Sequence, residues 1–200
     1  MKVAIIKYNA GNVQSVLIAL ERIGCSASVT DDANDISSAD KVIFPGVGEA
    51  SSAMSFLKEK NLGIVIKNLK QPVLGICLGM QLLCNHSEEG NVDCLEIFDT
   101  EVKRFTGELK SPQVGWNNIY NLETGLFKGV SENSYCYFVN SYYAELCDDS
   151  IAQSEYGIKF SSALQKDNFY GVQFHPEKSA EAGELILKNF LSLPPAPKGE

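Results

Sequence analysis

Residues 72–84 read Pro-Val-Leu-Gly-Ile-Cys-Leu-Gly-Met-Gln-Leu-Leu-Cys, and this stretch decides the fold. Its first five residues predict a short buried strand, and a helical pattern follows at 78–84. Cys77 stands between Gly75 and Gly79 in the form of a G-x-S-x-G nucleophile elbow, with sulfur in place of oxygen. Because so tight a turn brings the positions two before and two after the nucleophile close together, both must lack a Cβ atom.

The rest of the first half alternates short β-rich runs with longer helical patterns. This alternation is typical of right-handed crossovers around a mainly parallel sheet. The β-rich runs lie at residues 2–8, 27–30 and 41–44, and the helical runs at 13–23 and 50–60. Gly11-Asn12 is predicted to form the turn and N-cap before the first helix. Pro45-Gly46-Val47-Gly48 is predicted to end the third strand abruptly.

The second half contains β-prone segments without long helices between them, which predicts an antiparallel or mixed extension of the same sheet. These segments lie near residues 101–105, 135–143, 153–156, 162–164 and 169–174. A last helix is expected at about 180–191, and the proline-rich end cannot continue it. We therefore expect one α/β domain over residues 1–192, a three-layer sandwich around a mainly parallel, mixed sheet. Residues 193–200 are expected to form a loose tail.

The composition is that of a globular protein. Of the 200 residues, 44% are hydrophobic and 21% are charged, which excludes a disordered or collagen-like chain. The net charge of −8 would repel a phosphate backbone, so nucleic acid is not an expected partner. The first apolar run is interrupted at Lys7, too early for a secretory signal or a membrane span. A cytoplasmic location is expected, without membrane contact.

The cysteines predict neither a disulfide framework nor a metal site. Six cysteines lie at irregular separations, and only two histidines are available to join them at a metal. No C-x2-C pair occurs. In a cytosolic chain most of these thiols are expected to be reduced core residues.

A proton carrier for the Cys77 thiol is predicted at residues 174–177, Phe-His-Pro-Glu, directly after a β-prone segment. In an extended chain, residues two apart point the same way, so Glu177 can orient the His175 imidazole. The helix after Cys77 is expected to aim its positive end at the sulfur and favour the thiolate. Cys77, His175 and Glu177 would then act as nucleophile, base and orienting carboxylate. The alternative is a small buried cysteine between two packing glycines.

These residues carry a resemblance to a known family. Gly75-Ile76-Cys77-Leu78-Gly79-Met80-Gln81 and His175-Pro176-Glu177 resemble the class I, triad-type glutamine amidotransferases. Further segments are similar to the glutaminase subunits of imidazole glycerol phosphate synthase: Tyr8-Asn9-Ala10-Gly11-Asn12, residues 45–48, Gly115-Trp116-Asn117 and Tyr137-Phe138-Val139. The resemblance runs from about residue 2 to residue 190. It implies a flavodoxin-like fold and hydrolysis of L-glutamine to glutamate and ammonia through a thioester on Cys77, with no cofactor.

The resemblance also implies roles for further residues. The backbone N–H groups of Leu78 and Val47 would form the oxyanion hole, with that of Val47 brought into place by a rotation of residues 45–48 on partner binding. The substrate pocket would be lined by Gln81, Glu89, Ser141 and Tyr142, with Glu89 holding the α-amino group of glutamine. The alternative for Gln81 and Glu89 is an ordinary polar surface position.

A partner is implied because ammonia is protonated in water at neutral pH and then no longer nucleophilic. The resemblance implies a heterodimer with a (β/α)8-barrel synthase/cyclase subunit that receives the ammonia. The positions that match its partner-facing or ammonia-gating residues are Asn12, Trp116, Tyr137 and Lys178. The alternative for the aromatic residues of this region, Tyr135, Tyr137, Phe138, Tyr142 and Tyr143, is that they are strand and core residues.

The chain departs from the family pattern at several positions. Gln113 and Asn140 stand where histidine is usual, Lys7 where an acidic residue is common, and Ser15 where asparagine can contact the partner. None belongs to the triad, so these departures bear on the partner. Three alternatives stay open: a paralogous glutaminase serving a sugar-modifying amidotransferase in surface-polysaccharide synthesis, a partner-independent cysteine or γ-glutamyl hydrolase, and a non-catalytic interaction subunit.

Overall fold

A computed structural model describes residues 1–8, 12–107 and 110–194 of the chain. The helices are α1 (Val13–Arg22), α2 (Ala33–Ser37), α3 (Ala50–Glu59), α4 (Leu62–Lys67), α5 (Leu78–Gln81) and α6 (Ala180–Ser192). The strands are β1 (Val3–Ile6), β2 (Ala27–Thr30), β3 (Lys41–Gly46), β4 (Val73–Cys77), β5 (His86–Ser87), β6 (Val92–Asp93), β7 (Glu101–Arg104), β8 (Gln113–Ile119), β9 (Ser134–Asn140), β10 (Tyr142–Ala144), β11 (Ser150–Tyr156), β12 (Ile158–Lys166) and β13 (Phe169–Val172). Short 3-10 turns occupy Gly125–Phe127 and Pro176–Lys178.

The central sheet has eleven strands in the order β2-β1-β3-β4-β13-β12-β10-β7-β5-β6, with β11 paired to β12. Strands β2, β1, β3, β4 and β13 run parallel to one another. From β12 onward most pairs are antiparallel. The predicted mixed sheet with a parallel first half is therefore confirmed.

Two apolar cores cover opposite faces of this sheet, because alternate residues of each strand point to opposite sides. On β1, Ala4 and Ile6 pack with residues of α2, α3 and α4, whereas Val3 and Ile5 pack with residues of α1 and α6. The three-layer α/β sandwich predicted from the sequence is confirmed by this arrangement.

Several element boundaries differ from those predicted. Strand β3 does not end at Phe44 but continues through Pro45 and Gly46, because both residues pair in parallel with β4. The helix after Cys77 covers only Leu78–Gln81, so its dipole is much smaller than the predicted run 78–84 implies.

The predicted strand 135–143 is in fact two strands in different sheets. Strand β10 joins the central sheet, whereas β9 pairs with β8 in a separate two-stranded sheet. Strand β8 was not predicted, since Gly115 and two asparagines lower the β-propensity of its sequence. Helices α2 and α4 were also missed, because five or six residues show little helical periodicity.

The start of the expected tail is held against the domain. Lys41 is buried, and its Nζ donates to the carbonyl oxygens of Leu193 at 2.7 Å and Pro194 at 3.4 Å. Burial lowers the pKa of this ammonium group. Residues 195–200, like residues 9–11 of the predicted turn before α1, lie outside the described part of the chain. The boundary after residue 192 stays a prediction.

Among the described helices, none is long and apolar enough to cross a membrane.

Candidate active site

Three neighbouring parallel strands bring the candidate residues together at one edge of the sheet. Cys77 ends β4, and its register partner on β3 is Gly46, directly before Val47. On the other side of β4, Val172 of β13 is the register partner of Ile76, and His175 follows three residues later. The carboxyl ends of parallel strands form the usual site position in open α/β sheets. The topology therefore places Cys77, Val47 and His175 around one point.

The elbow at Cys77 has a strained backbone. Its φ of 54° and ψ of −111° lie outside the regions that side chains other than glycine usually adopt. A Cβ atom on Gly75 would lie 2.8 Å from the backbone nitrogen of Met80. A Cβ atom on Gly79 would overlap the carbonyl oxygen of Phe44 on β3. Both positions do exclude a side chain, but at Gly79 the obstacle is the neighbouring strand and not the elbow itself.

His175 and Glu177 form a buried pair. Nδ1 of His175 lies 2.8 Å from Oε1 of Glu177, and the two side chains are 1% and 0% exposed. The sequence predicted this pairing from extended chain, but Pro176–Lys178 is a 3-10 turn, and the turn brings the carboxylate back to the ring. Because Nδ1–H faces the carboxylate, Nε2 remains for the Cys77 thiol, with which the imidazole is hydrogen-bonded.

Asn12 touches this pair. Its Nδ2 donates to Oε1 of Glu177 and lies 3.4 Å from Nδ1 of His175. The residue precedes α1 with a φ of 75°, as the predicted N-cap, although its side chain makes no capping hydrogen bond. The contact described for Asn12 is therefore with the triad, and the partner-facing or ammonia-gating position that the resemblance implies for Asn12 stays a prediction.

The pKa of His175 is raised to about 10. Burial lowers this pKa, but hydrogen bonds and negative charge from Cys77 and Glu177 outweigh that effect. At neutral pH the imidazole therefore holds a proton beside the Cys77 sulfur. Such a pair is suited to attack by sulfur and to proton donation to a leaving nitrogen.

This pKa shift predicts a loss of stability in alkaline solution. Because the folded-state pKa of about 10 lies above the ordinary 6.5, proton binding by His175 favours the folded chain. The contribution of this proton to the free energy of unfolding is fully present below pH 6.5 and is lost as the pH rises through about 10. We expect the free energy of unfolding in urea to fall more steeply between these values in the wild type than in His175→Gln. If the free energy of unfolding falls equally with pH in the two proteins, the raised pKa of His175 is contradicted.

A cavity of about 210 Å³ lies beside Cys77. Its wall includes the candidate oxyanion residues and all four candidate substrate-binding residues: Val47, Leu78, Gln81, Glu89, Ser141 and Tyr142. Glu89 is half-buried, and its Oε2 accepts the N–H of Ala50 at 2.9 Å. Burial raises the pKa of this carboxyl group. A larger cavity of about 600 Å³ between α3, α4 and β6 contains no member of the triad.

Gln173 is a site residue that the sequence analysis missed. It is fully buried, and its Nε2 lies 3.7 Å from the Cys77 sulfur. Its Oε1 accepts Nε2 of Gln81 at 2.9 Å, and the same Gln81 nitrogen donates to the carbonyl of Tyr142 at 3.0 Å. One signal could have revealed it, because Gln173 stands two residues before His175 in an otherwise apolar run.

The other candidate partner residues form an exposed cluster. The rings of Trp116 and Tyr137 meet edge to face with centroids 5.9 Å apart. Nζ of Lys178 lies 6.0 Å from the centre of the Tyr137 ring. Trp116 is 53% exposed and Tyr135 is 63% exposed, whereas Phe138 and Tyr143 are buried core residues, as the alternative predicted for those two.

Comparison with known proteins agrees with this geometry. Residues 4–193 match the family described as Glutamine amidotransferase class-I. A Bacteroides fragilis protein described as "Imidazole glycerol phosphate synthase subunit HisH" is 59% identical over 196 residues, 96% of this chain and 100% of the relative. A Haemophilus influenzae protein with the same description is 48% identical over 198 residues, 98% of this chain and 99% of the relative.

Solved structures show the same fold at low sequence identity. A crystal structure of a glutamine amidotransferase has a TM-score of 0.74 at 16% identity, covering 94% of this chain and 96% of that chain. The structure of PurLQS from Thermotoga maritima has a TM-score of 0.69 at 15% identity, covering 95% of this chain and 97% of that chain. With its triad, its fold and these relatives, the chain belongs to the class-I glutamine amidotransferase family and, within it, to the imidazole glycerol phosphate synthase HisH subunits.

Proposed function

We propose that this chain is the glutaminase subunit of an imidazole glycerol phosphate synthase in histidine biosynthesis. It hydrolyses L-glutamine to glutamate and ammonia, and it passes the ammonia to a synthase partner. The observation that carries this proposal is the contact of Cys77, which lies at the cavity wall, with the buried pair of His175 and Glu177 behind it. The full-length identity with HisH subunits favours this acceptor over that of a sugar-modifying paralogue.

The first half of the reaction forms a thioester. The Cys77 sulfur bonds to the side-chain amide carbon of glutamine, and the carbonyl electrons move to oxygen. The backbone N–H groups of Leu78 and Val47 stabilise this oxyanion, the second after rotation of residues 45–48. His175 then gives its proton to the departing nitrogen, which leaves as ammonia when the C–N bond breaks.

The second half releases glutamate. Once sulfur is bound in the thioester, it no longer carries the negative charge that holds a proton on His175. The imidazole can then take a proton from water, and the resulting hydroxide bonds to the thioester carbon. The C–S bond breaks, sulfur regains its negative charge, and His175 again holds the proton. No cofactor takes part in this sequence.

Glu89 is proposed to hold the α-ammonium group of glutamine. Its carboxylate lines the cavity, and it already accepts the N–H of Ala50, which fixes its orientation. The side-chain nitrogen of Gln81 is engaged by Tyr142 and Gln173, so its side-chain oxygen is the atom that can accept a hydrogen bond from the substrate. Ser141 and Tyr142 complete the wall at the end of the cavity formed by the second half of the chain.

The partner is proposed to be a (β/α)8-barrel synthase/cyclase subunit that docks on the sheet of β8 and β9. In the register of that sheet, Val114, Trp116 and Asn118 lie opposite Val139, Tyr137 and Tyr135, so all six share one face. Val114, Trp116 and Tyr135 are more than half exposed there. An exposed apolar patch of this kind marks an interaction surface.

The cytoplasmic location expected from the sequence stays a prediction.

An electrophilic glutamine analogue tests the glutaminase proposal. We expect the chain, incubated with its synthase partner, to carry the adduct on Cys77 as located by mass spectrometry, and excess glutamine to protect it. Hydrolysis should rise when the partner is added, whereas a partner-independent hydrolase would be fully active alone. Labelling elsewhere, or no labelling with the partner present, would overturn the proposal.

Truncation of Trp116 tests the docking surface. We expect Trp116→Ala to weaken binding of the synthase partner about 30-fold, since a central tryptophan contributes roughly 2 kcal/mol or more at an interface. Isothermal titration calorimetry measures the change. Ile64→Ala, which truncates an exposed residue of α4, should bind like the wild type. Equal affinity for Trp116→Ala would place the interface elsewhere.

A further inference from the structure

A chain of buried hydrogen bonds ends at the reacting sulfur. It begins at the backbone carbonyl of Tyr142, which accepts Nε2 of Gln81 at 3.0 Å. Nε2 of Gln81 also donates to Oε1 of Gln173 at 2.9 Å, and Nε2 of Gln173 lies 3.7 Å from Sγ of Cys77. Gln81 is 4% exposed and Gln173 is 0% exposed. The series thus runs through the interior from β10 to the nucleophile.

The direction of this chain follows from hydrogen-bond chemistry. A carbonyl oxygen can only accept, so Tyr142 requires the nitrogen of Gln81 to face it. The second N–H of the same nitrogen is directed at Gln173, whose side-chain oxygen must therefore accept it. The remaining nitrogen of Gln173 therefore faces sulfur. Neither amide can be turned over without opposing two donors or two acceptors, so the hydrogen bonds themselves fix both orientations.

We propose that Gln173 is a further catalytic residue, whose amide N–H is held on the Cys77 sulfur by Gln81 and the Tyr142 carbonyl. The inference rests on the proposed glutaminase function and deepens it. An N–H donor interacts more strongly with a negatively charged sulfur than with a thioester sulfur. It therefore stabilises the thiolate before attack and again when the thioester collapses.

The surroundings of the sulfur give this donor a distinct role. Two ionisable groups that interact with Cys77 are His175 and Tyr8. The carbonyl of Val139 lies 3.7 Å from Sγ and can accept only from the protonated thiol. Gln173 is thus an uncharged donor to a sulfur that also faces an acceptor. It favours the thiolate at every pH, whereas His175 does so only while protonated.

The rate at which iodoacetamide alkylates Cys77 tests this role, because the thiolate is the species that reacts. The measurement uses the full chain over a range of pH, and mass spectrometry follows the peptide that contains Cys77. We expect Gln173→Leu to slow alkylation at pH 7 about tenfold and to move the profile up by roughly one pH unit, as for loss of one hydrogen bond to a charged group. Gln153→Glu on β11, outside the cavity, should leave the profile unchanged.

Two further variants separate this role from simple space filling. Gln173→Glu keeps the shape and still accepts from Gln81, but it turns an oxygen toward sulfur, so it should slow alkylation more than Gln173→Leu. Gln81→Leu should give a smaller change of the same sign. The double leucine variant should be no slower than Gln173→Leu alone, because both residues act through one donor.

The outcomes distinguish this inference from the proposed function. Suppose that folded Gln173→Leu and Gln173→Glu alkylate at Cys77 with the wild-type pH profile, and that the wild-type chain hydrolyses glutamine. This result would reject the role of Gln173 and leave the proposed glutaminase function standing. A wild-type chain that neither alkylates at Cys77 nor hydrolyses glutamine with its partner would reject the glutaminase itself. The assignment would be supported by alkylation profiles that move to higher pH, most in Gln173→Glu, less in Gln173→Leu and least in Gln81→Leu, while the Gln153→Glu control keeps the wild-type profile.

Discussion

Replacement of Cys77 by alanine is expected to lower glutamine hydrolysis by the partnered enzyme about 10⁵-fold, as for loss of the nucleophile in other acyl-transfer triads. Without sulfur no thioester forms, and the remaining donors can only polarise the amide. Steady-state formation of glutamate measures the loss. The fold should persist, because the side chain is small and the strained turn is enforced by the packing of Gly75 and Gly79.

The matched control for this prediction is another thiol of the same chain. Cys25 is a free, half-buried cysteine outside the cavity, and Cys25→Ala should hydrolyse glutamine like the wild type. The Cys77→Ala complex, supplied with an ammonium salt, should still deliver ammonia to the synthase at the wild-type rate. Hydrolysis by Cys77→Ala within tenfold of the wild type would show that sulfur is not the nucleophile.

Addition of one methyl group at Gly79 is expected to lower the free energy of unfolding by about 4 kcal/mol or more, beyond the usual cost of overpacking. The new Cβ atom would overlap the backbone oxygen of Phe44. Backbone atoms cannot yield as a flexible side chain does, so β3 and α5, which contains Gly79, would have to move apart. Urea denaturation followed by circular dichroism measures the change.

Gly63→Ala is the control for this second prediction. Gly63 lies in α4, and its added Cβ would meet only the end of the Leu95 side chain, at 3.2 Å. In a helix, alanine is preferred to glycine by roughly 0.5–1 kcal/mol, so this variant should be as stable as the wild type or slightly more stable. Equal stabilities for Gly79→Ala and Gly63→Ala would contradict the close contact with β3.

The displacement of β3 away from α5 in Gly79→Ala should also affect the site. Gly46 of β3 is the register partner of Cys77 on β4, and Val47 follows Gly46. A shift of β3 would therefore displace the N–H proposed for the oxyanion hole. If a fraction of Gly79→Ala folds, we expect its hydrolysis to fall as well, whereas Gly63→Ala should retain full activity.

Much of the site could be predicted because local chemistry specifies it. A strand that must turn at Cys77 needs flanking glycines, and a sulfur nucleophile needs a histidine and an orienting acid, which the sequence supplies once each in suitable contexts. The family resemblance added the cavity wall, and Gln81, Glu89, Ser141 and Tyr142 do lie there. Their roles toward glutamine are proposals.

Other features depend on contacts between segments far apart in the chain. The side chain of Asn12 reaches Glu177, and the hydrogen bonds of Gln173 reach Gln81 and Cys77. Nothing in the sequence near Asn12 or Gln81 indicates these partners, since hydrogen bonding between distant residues follows from the strand order. The extension of β3 through Pro45 likewise depends on its pairing with β4.

By itself the amino-acid sequence determined the class of fold, the strand–turn–helix at Cys77 and the identity of the three triad residues. These properties arise from hydrophobic periodicity, backbone sterics and side-chain chemistry over a few neighbouring positions. Only the tertiary structure decided that a 3-10 turn joins His175 to Glu177, that β8 and β9 form a separate sheet, and that an amide donor faces the sulfur. Those outcomes depend on which strands lie side by side, and that order is set by packing of the whole chain.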